Sequence, residues 1–396
     1  MKRLLLLILL GCAAVLQAAD KPRRFGELGV NARASFANSY LRTVDVLQET
    51  LTLDFSKTSD ELNHLGLGMF MDSQGGAYFT FNSGTTWAFG LFANADVMGQ
   101  FLVPQSLMDL ISKGNKIDKT YSDNFGLGAA AFFEAGAWFS KDIERIRFTF
   151  RPAYYLPLAY MSSPLARYSL ITQRDGTVNI SGDLSADVYL PSSLDDMSSF
   201  NVDDILNKGG IDLTLRAEYP LRHNLTVGAT LVHIPFFPAQ LDHRYNMTGS
   251  FSFKSDMKNI ISDIGDGLTY EFPESEASDT EKVILRPFKI GFDAVYRPFD
   301  RRIFSLKPNL GLVFNSIYDT PVYADFGLTA EFNIFSILVL DAGTHYEDLI
   351  WKERLGLALN FRIIEFDVGL TLQSQDFVKS FNGAGYGVDL GVRLGF

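Results

Sequence analysis

GYGVDLGVRLGF, residues 385–396, separates into two faces when read at every second position. Tyr386, Val388, Leu390, Val392, Leu394 and Phe396 make an unbroken apolar ladder, and Gly387, Asp389, Gly391, Arg393 and Gly395 make a small and charged one. Alternation with a period of two marks a β-strand, because successive side chains leave the pleat on opposite sides. The charged face would be costly in a dry core, and the apolar face is too continuous to be left in water. A strand with its greasy side in lipid and its charged side in a hydrated bore satisfies both.

The same pattern recurs upstream. Ile211, Leu213, Leu215, Ala217, Tyr219 and Leu221 oppose Asp212, Thr214, Arg216 and Glu218, and a polar turn at 222–224 leads into Leu225, Val227, Ala229 and Leu231. That is a hairpin. Further pairs run through 288–296 and 304–314, 326–332 and 338–342, and 355–361 and 366–372, with charges such as Lys289, Asp293, Asp389 and Arg393 on the polar faces. Strands of globular proteins cluster near 5 or 6 residues, whereas these segments extend to 10–13. Twelve residues at ~3.3 Å each, tilted by about 40°, rise roughly 30 Å, enough to cross an apolar band about 25 Å tall. Lipid offers no partner to backbone N–H and C=O groups, so such a sheet must close on itself.

The expected fold is therefore all-β, a transmembrane antiparallel up-and-down β-barrel of about 14 strands, within a range of 12–16. The first half contributes GAYFTFN (76–82), TTWAFGLFA (85–93), NFGLGAAAFFEAGAWF (124–139) and IRFTFRPAYYLPL (146–158), with a weaker strand near Leu65 to Met71. Short turns at 222–224, 298–301, 333–336 and 362–364 alternate with longer polar connections, including the acidic PESEASDTEK (273–282). Outer-membrane barrels put short turns in the periplasm and long loops outside. That alternation holds if LTYEF (268–272) is also a strand, and helical patterns at 104–115 and 198–210 fall in external loops.

Ahead of the barrel, Lys2, Arg3, the apolar run Leu4 to Leu16 and Gln17-Ala18-Ala19 read as a secretory signal peptide over 1–19. Leu9-Leu10-Gly11-Cys12 offers an alternative, a lipobox that would lipidate Cys12. Residues 20–50 follow, and within 27–49 Ala37, Tyr40, Leu41, Val44 and Leu47 fall at helical spacing. Such a stripe could be buried in the lumen, so this segment is expected to be a plug contacting the bore through Phe36, Asn38, Tyr40 and Val44, with 51–396 as barrel and loops.

The net charge is −11, and it becomes more negative once Lys2 and Arg3 leave with the signal, which argues against nucleic acid or anionic headgroups as partners. Cys12 is the only cysteine, so no disulfide is expected. Nucleophile-elbow, zinc-protease and phosphate-loop motifs are absent, and the five histidines form no i, i+4 pair. No catalytic residue, metal site or cofactor is expected, and the chain does not read as an enzyme.

Two proline-broken stretches stand out. In HIPFFPAQLDH (233–243), Pro235 and Pro238 bracket Phe236 and Phe237, and in RPAYYLPLAYMSSP (151–164) Tyr154 and Tyr155 lie between Pro152 and Pro157. Proline removes a ladder donor, so pairing stops or kinks there. The exposed aromatics are either an apolar lip through which a greasy solute enters or anchors at the membrane interface.

In size, in its small-residue-rich segment before the first strand, in strand number and in its helical loops, the chain resembles the long-chain fatty acid transporter family of outer-membrane proteins. These are the FadL-like barrels, and the likeness extends to their divergent spirochaetal members. The family's Asn-Pro-Ala hatch element has its counterpart in ASFANSY (34–40), where Asn38 remains and Pro-Ala is replaced. The resemblance implies a monomeric channel in the bacterial outer membrane that takes up hydrophobic small molecules, with long-chain fatty acids as the substrate class. The apolar ladder from Tyr386 to Phe396 likewise resembles the terminal signal that barrel-insertion machinery reads. A diffusion porin for hydrophilic solutes and a surface adhesin or receptor are the alternatives.

Overall fold

The computed structural model describes residues 25–39, 66–83, 86–192, 205–256, 268–271, 276–299, 303–318, 320–335, 337–361, 363–383 and 385–395. The signal segment 1–19, Tyr40 and Val44 of the expected plug, and Phe396 lie outside the described residues.

Fourteen of the described strands close a ring. They are β1 (Gly26–Asn38), β2 (Leu67–Asn82), β3 (Trp87–Val103), β4 (Thr120–Ile143), β5 (Ile146–Thr172), β7 (Gly210–Arg222) and β8 (Leu225–Phe237), then β12 (Phe288–Tyr296), β13 (Phe304–Phe314), β14 (Val322–Ile334), β15 (Leu338–Glu347), β16 (Ile350–Asn360), β17 (Ile364–Ser374) and β18 (Gly385–Gly395). Four others stand outside it: β6 (Thr177–Leu190), β9 (Ala239–Asp256), β10 (Leu268–Glu271) and β11 (Glu276–Ile284). Every neighbouring pair in the ring is antiparallel, and β1 joins β18 to β2, so the wall has no open edge.

The four outer strands follow from a fork in β5. Its first half, from Arg147 to Tyr155, pairs with β7, while Tyr160 to Thr172 pairs with β6. Beyond the fork β6 pairs with β9, which pairs in turn with β10 and β11. The expectation for LTYEF is corrected in its role: Leu268–Glu271 is a strand, but it does not count in the ring. The alternation of turns and loops holds because β8 pairs directly with β12. The helix expected at 104–115 is α1 (Gln105–Lys113), and a second short helix, α2 (Phe377–Ser380), precedes β18. Of the helix expected at 198–210, residues 205–206 are helical and Gly210 already begins β7.

The plug expectation is corrected over Gly26–Asn38, which is a strand of the wall. ELGVNARASFAN also alternates, and as β1 its backbone groups are satisfied on both sides by β18 and β2. A helix lying free in the bore would leave that strand pairing unused. Phe36 accordingly points outward and is 47% exposed, while Asn38 is buried at the loop end.

The outer face carries the apolar belt. Leu91, Leu310, Leu355, Leu370 and Leu390 are all more than half exposed, and Leu28, Phe150 and Phe292 share that face. Aromatic side chains gather at both rims. At the turn end Phe25, Phe81, Trp87 and Phe89 contact one another, and at the loop end Phe326, Tyr346, Trp351 and Phe377 do the same. Unboiled protein in dodecyl sulfate is expected to migrate faster on gels than boiled protein, since a closed ring resists the detergent. Equal mobilities would contradict the closed wall.

Candidate functional site

The bore divides into a charged lower part and an apolar mouth. In the lower part Arg216 contacts Glu218 at 2.8 Å and Asp293 at 2.7 Å and Lys307 contacts Glu331 at 2.9 Å, while higher up, level with the mouth, Lys289 contacts Asp325 at 2.7 Å. Arg393 holds Glu365 at 2.9 Å and Asp367 at 3.1 Å, and Arg354 lies 3.5 Å from Asp389. Most of these pairs link different strands. Neighbouring strands lie about 5 Å apart, so same-face residues two strands away are about 10 Å apart, whereas four residues along one strand span roughly 13 Å. Lys289 therefore takes Asp325 rather than Asp293, and Asp389 takes Arg354 rather than Arg393. The glycines of the inward faces give these side chains room to lie along the wall. A Cβ at Gly391 would fall 2.3 Å from an Asp367 oxygen, and one at Gly228 would meet both Asp293 and Arg216 within 3 Å.

Toward the loop end the bore fills with apolar side chains. Phe70, Leu102, Phe132 and Tyr155 come from the wall, Ile317 and Tyr318 from the β13–β14 connection, Leu349 and Ile350 from the β15–β16 turn, and Ala239, Leu241 and Ile284 from the outer strands; all are buried in one cluster. The β15–β16 hairpin turns on Asp348 and Leu349, with φ values of 55° and 67°. Two consecutive positive φ values suit a tight hairpin, but the left-handed region costs a leucine roughly 1–2 kcal/mol. Burial of Leu349 in the cluster offsets that cost. Burial also pushes the phenol of Tyr318 well above its ordinary pKa, so it stays neutral within the seal. Tyr155 ties the seal to the wall: its hydroxyl donates to the Ile284 carbonyl at 2.9 Å and accepts from the Ala239 N–H at 3.1 Å.

Immediately beneath the seal lies a buried ionic cluster. The short link between β11 and β12 drops Arg286 into the bore, where Nε and Nη2 donate to the two Asp212 oxygens at 2.7 and 2.8 Å and Nη1 donates to Glu134. Glu134 also accepts from Arg151 at 2.8 Å, and that guanidinium stacks 3.8 Å over the Phe92 ring. The side chains of Arg286, Asp212 and Glu134 are 2–5% exposed. Two guanidinium and two carboxylate groups make the cluster formally neutral, which is what allows it to be buried. Next to it His233, with φ at 54°, places Nδ1 2.9 Å from the Pro287 carbonyl. Sequence reasoning did not single out this cluster. Its signal was faint: a lone arginine in ILRPF (284–288), a lone glutamate in AAAFFEAGAWF (129–139) and the first acid of β7.

The four aromatic candidates part company. Phe236 and Phe237 are 70% and 56% exposed on the outside of the barrel at the loop end of β8. Ile211 pairs with Phe237 and Asp212 with Pro235, so Phe236 is an extra, bulged residue, and the bulge lets two consecutive rings face outward together. Tyr154 donates its hydroxyl to the Leu206 carbonyl, whereas Tyr155 turns into the bore. No single lip gathers all four. Tyr386, Val388, Leu390 and Leu394 lie on the outward face of β18 as their alternation requires. Among the described residues no group of acids, histidines or cysteines is arranged to hold a metal ion.

No protein-family model and no curated protein sequence matches the chain. The backbone is similar to several solved structures of low sequence identity. The P. putida toluene transporter TodX is 10% identical, with a TM-score of 0.48 over 95% of this chain and 91% of that one. The Ralstonia pickettii toluene transporter TbuX is 10% identical, with a TM-score of 0.46 over 94% and 89%. A Pseudomonas aeruginosa FadL homologue is 11% identical, with a TM-score of 0.45 over 94% and 90%.

Proposed function

We propose that this chain is an outer-membrane channel for the uptake of hydrophobic small molecules, with long-chain fatty acids as the leading class. The observation that carries the proposal is the composition of the mouth. A bore that passes sugars and ions needs a continuous polar path, and here the path is interrupted by Phe70, Leu102, Phe132, Ile317, Tyr318, Leu349 and Ile350. An apolar solute can replace contacts among these side chains and gain about 25 cal/mol for each Å² it removes from water. A hydrophilic solute would lose its hydration there with no compensation.

In this scheme a solute settles into the seal as the turns carrying Ile317 and Leu349 give way. It is then released into the charged lower bore, which holds apolar groups poorly. One chain completes the ring, so the proposed path needs no second subunit to close its wall. Purified protein is expected to bind a fluorescent fatty acid saturably, and proteoliposomes are expected to swell slowly in small sugars. Rapid swelling without saturable binding would instead support a diffusion porin. A second reading, a surface receptor, draws on the sheet of β6, β9, β10 and β11 beyond the ring; deleting β10, which contributes no residue to the seal, would weaken binding to a cell surface but leave fatty acid binding in place.

A further inference from the structure

The outer face of the wall is notched near the turn end. Strand register places Phe148, Ala217, Ala229 and Phe292 side by side on β5, β7, β8 and β12, all on the lipid-facing side. Two alanines between two phenylalanines leave an open groove of about 490 Å³, whose floor reaches Gly228 and Asp293. Leu215 and Leu231, paired two residues nearer the loops, close its upper end, and Tyr219 and Val227, paired two residues nearer the turns, line its lower part. Below the groove the wall changes character. Between Pro220 and Arg222 the register of β7 against β8 slips by one residue, so Arg222 pairs with Leu225 of the outer face. The inward residues of β7 run from Asp212 to Glu218 at even numbers, and a regular strand would have sent Arg222 into the bore as well. The bulge re-aims it. Arg222 thus stands in one row with Leu225 and Tyr296, and Leu225 lies two residues, roughly 7 Å, below Val227 of the groove. Arg145, in the β4–β5 turn, immediately precedes the groove-lining Ile146. Both arginines are exposed and neither has a salt bridge among the described residues. Glu144 is the only acid in 144–145 and 222–224.

We propose that this groove binds an anionic phospholipid of the leaflet at the turn end, with one acyl chain lying over Ala217 and Ala229 and the phosphate held by Arg222 and Arg145. The site rests on the outer face meeting hydrocarbon and is independent of which solute the bore passes. An acyl chain in the groove touches both flanking rings as well as the floor, contacts that a flat wall does not offer. Its headgroup then lies at the rim, where exposed guanidinium groups present forked donors to phosphate oxygens. The net charge of −11 pointed away from anionic headgroups, but a phosphate at the rim responds mainly to charges within about 8–10 Å. The acids of the adjoining wall, Asp142, Glu218 and Asp293, face the bore and already hold Arg147 and Arg216. A second copy of the chain fits the groove less well. A symmetric pair meeting there in one membrane would bring four arginines to the same level on either side of the axis, so like charge opposes it.

In the test, purified protein in detergent is titrated with phosphatidylglycerol or with phosphatidylcholine of the same acyl chains, and native mass spectrometry counts the lipids retained. One phosphatidylglycerol per chain is expected to bind roughly twentyfold more tightly than phosphatidylcholine, the effect of two arginines at a membrane surface. In the Arg145→Gln/Arg222→Gln variant the two lipids are expected to bind alike. Ala217→Phe/Ala229→Phe fills the groove, and both lipids are expected to bind about tenfold more weakly as the acyl chain loses its place. Phenylalanine suits a lipid-facing position, so this variant should fold; if it does not, Ala229→Leu alone is expected to weaken both lipids several-fold. Binding of a fluorescent fatty acid in the bore is expected to be the same in every variant, which keeps this site separate from the uptake reading. Equal binding of the two lipids by the parent protein, a preference that survives the glutamines, or affinities untouched by the phenylalanines would overturn the site. So would a parent protein that is dimeric until the phenylalanines are introduced, since the groove would then be a contact between two chains.

Discussion

Arg286→Met is expected to destabilise the barrel by about 3–5 kcal/mol, because it leaves a buried carboxylate with no cation. The two acids should not suffer equally. Glu134 retains Arg151 at 2.8 Å, whereas Asp212, 2% exposed, contacts no other cation among the described residues. Neutralising Asp212 in the same chain, as Arg286→Met/Asp212→Asn, should therefore recover most of the loss, and Arg286→Met/Glu134→Gln should recover less. The readout is the temperature at which the fast-migrating folded form converts to the slow one. A functional consequence accompanies the structural one. Arg286 ties the link between β11 and β12 to the wall directly below Tyr155, so its loss should slacken the seal and speed liposome swelling in small solutes several-fold. Full stability in the single variant, or no benefit from Asp212→Asn, would mean that the cluster does not hold the mouth shut.

How much of this was legible in the sequence depends on the range of the interaction. Alternation is a local property, and it revealed the outward ladder of β18, the inward charges of β7 and the tight turn at His223 and Asn224. The expected number of about fourteen agrees with the ring although its members differ: Gly26–Asn38 was not counted, 65–71 and 76–82 are one strand, β2, and Leu268–Glu271 lies outside the ring. Pairing partners were not legible, because Lys289 and Asp325 are far apart in the chain and meet only through the register of β12, β13 and β14. Around Gly26–Asn38 two patterns meet. Leu28, Val30, Ala34 and Phe36 alternate there and the ladders on both flanks hold the strand, while of the stripe at helical spacing only Ala37 belongs to it, Tyr40, Leu41 and Val44 lying outside the described residues. The ionic cluster was hidden for the same reason as the pairing: Glu134, Asp212 and Arg286 come from three distant segments, and each alone looks like an ordinary polar residue beside an apolar run.

Leu390→Arg should cost about 2–4 kcal/mol, the penalty for a cation facing the middle of a bilayer. Leu390 lies at the centre of β18 between Ala32 and Val368, on the outward face and 52% exposed. An arginine there has no acid to pair with on its own face and is too far from either rim to reach water easily. Asp389, the preceding residue, points the other way, toward Arg33 at 3.8 Å and Arg354 at 3.5 Å. These longer contacts in a polar bore are each worth at most about 1 kcal/mol, so Asp389→Leu should be mild. The contrast between the two neighbours is the informative quantity. In a soluble sheet packed face to face, the exposed leucine would be the tolerant position, since arginine is welcome in water, and the charged partner of the inner face would be the sensitive one. Leu355→Arg, on β16 and 67% exposed, provides a second and independent comparison. If both arginines fold as readily in lipid vesicles as the parent protein, the outer face does not meet hydrocarbon, and a solute entering the seal would have no membrane to cross.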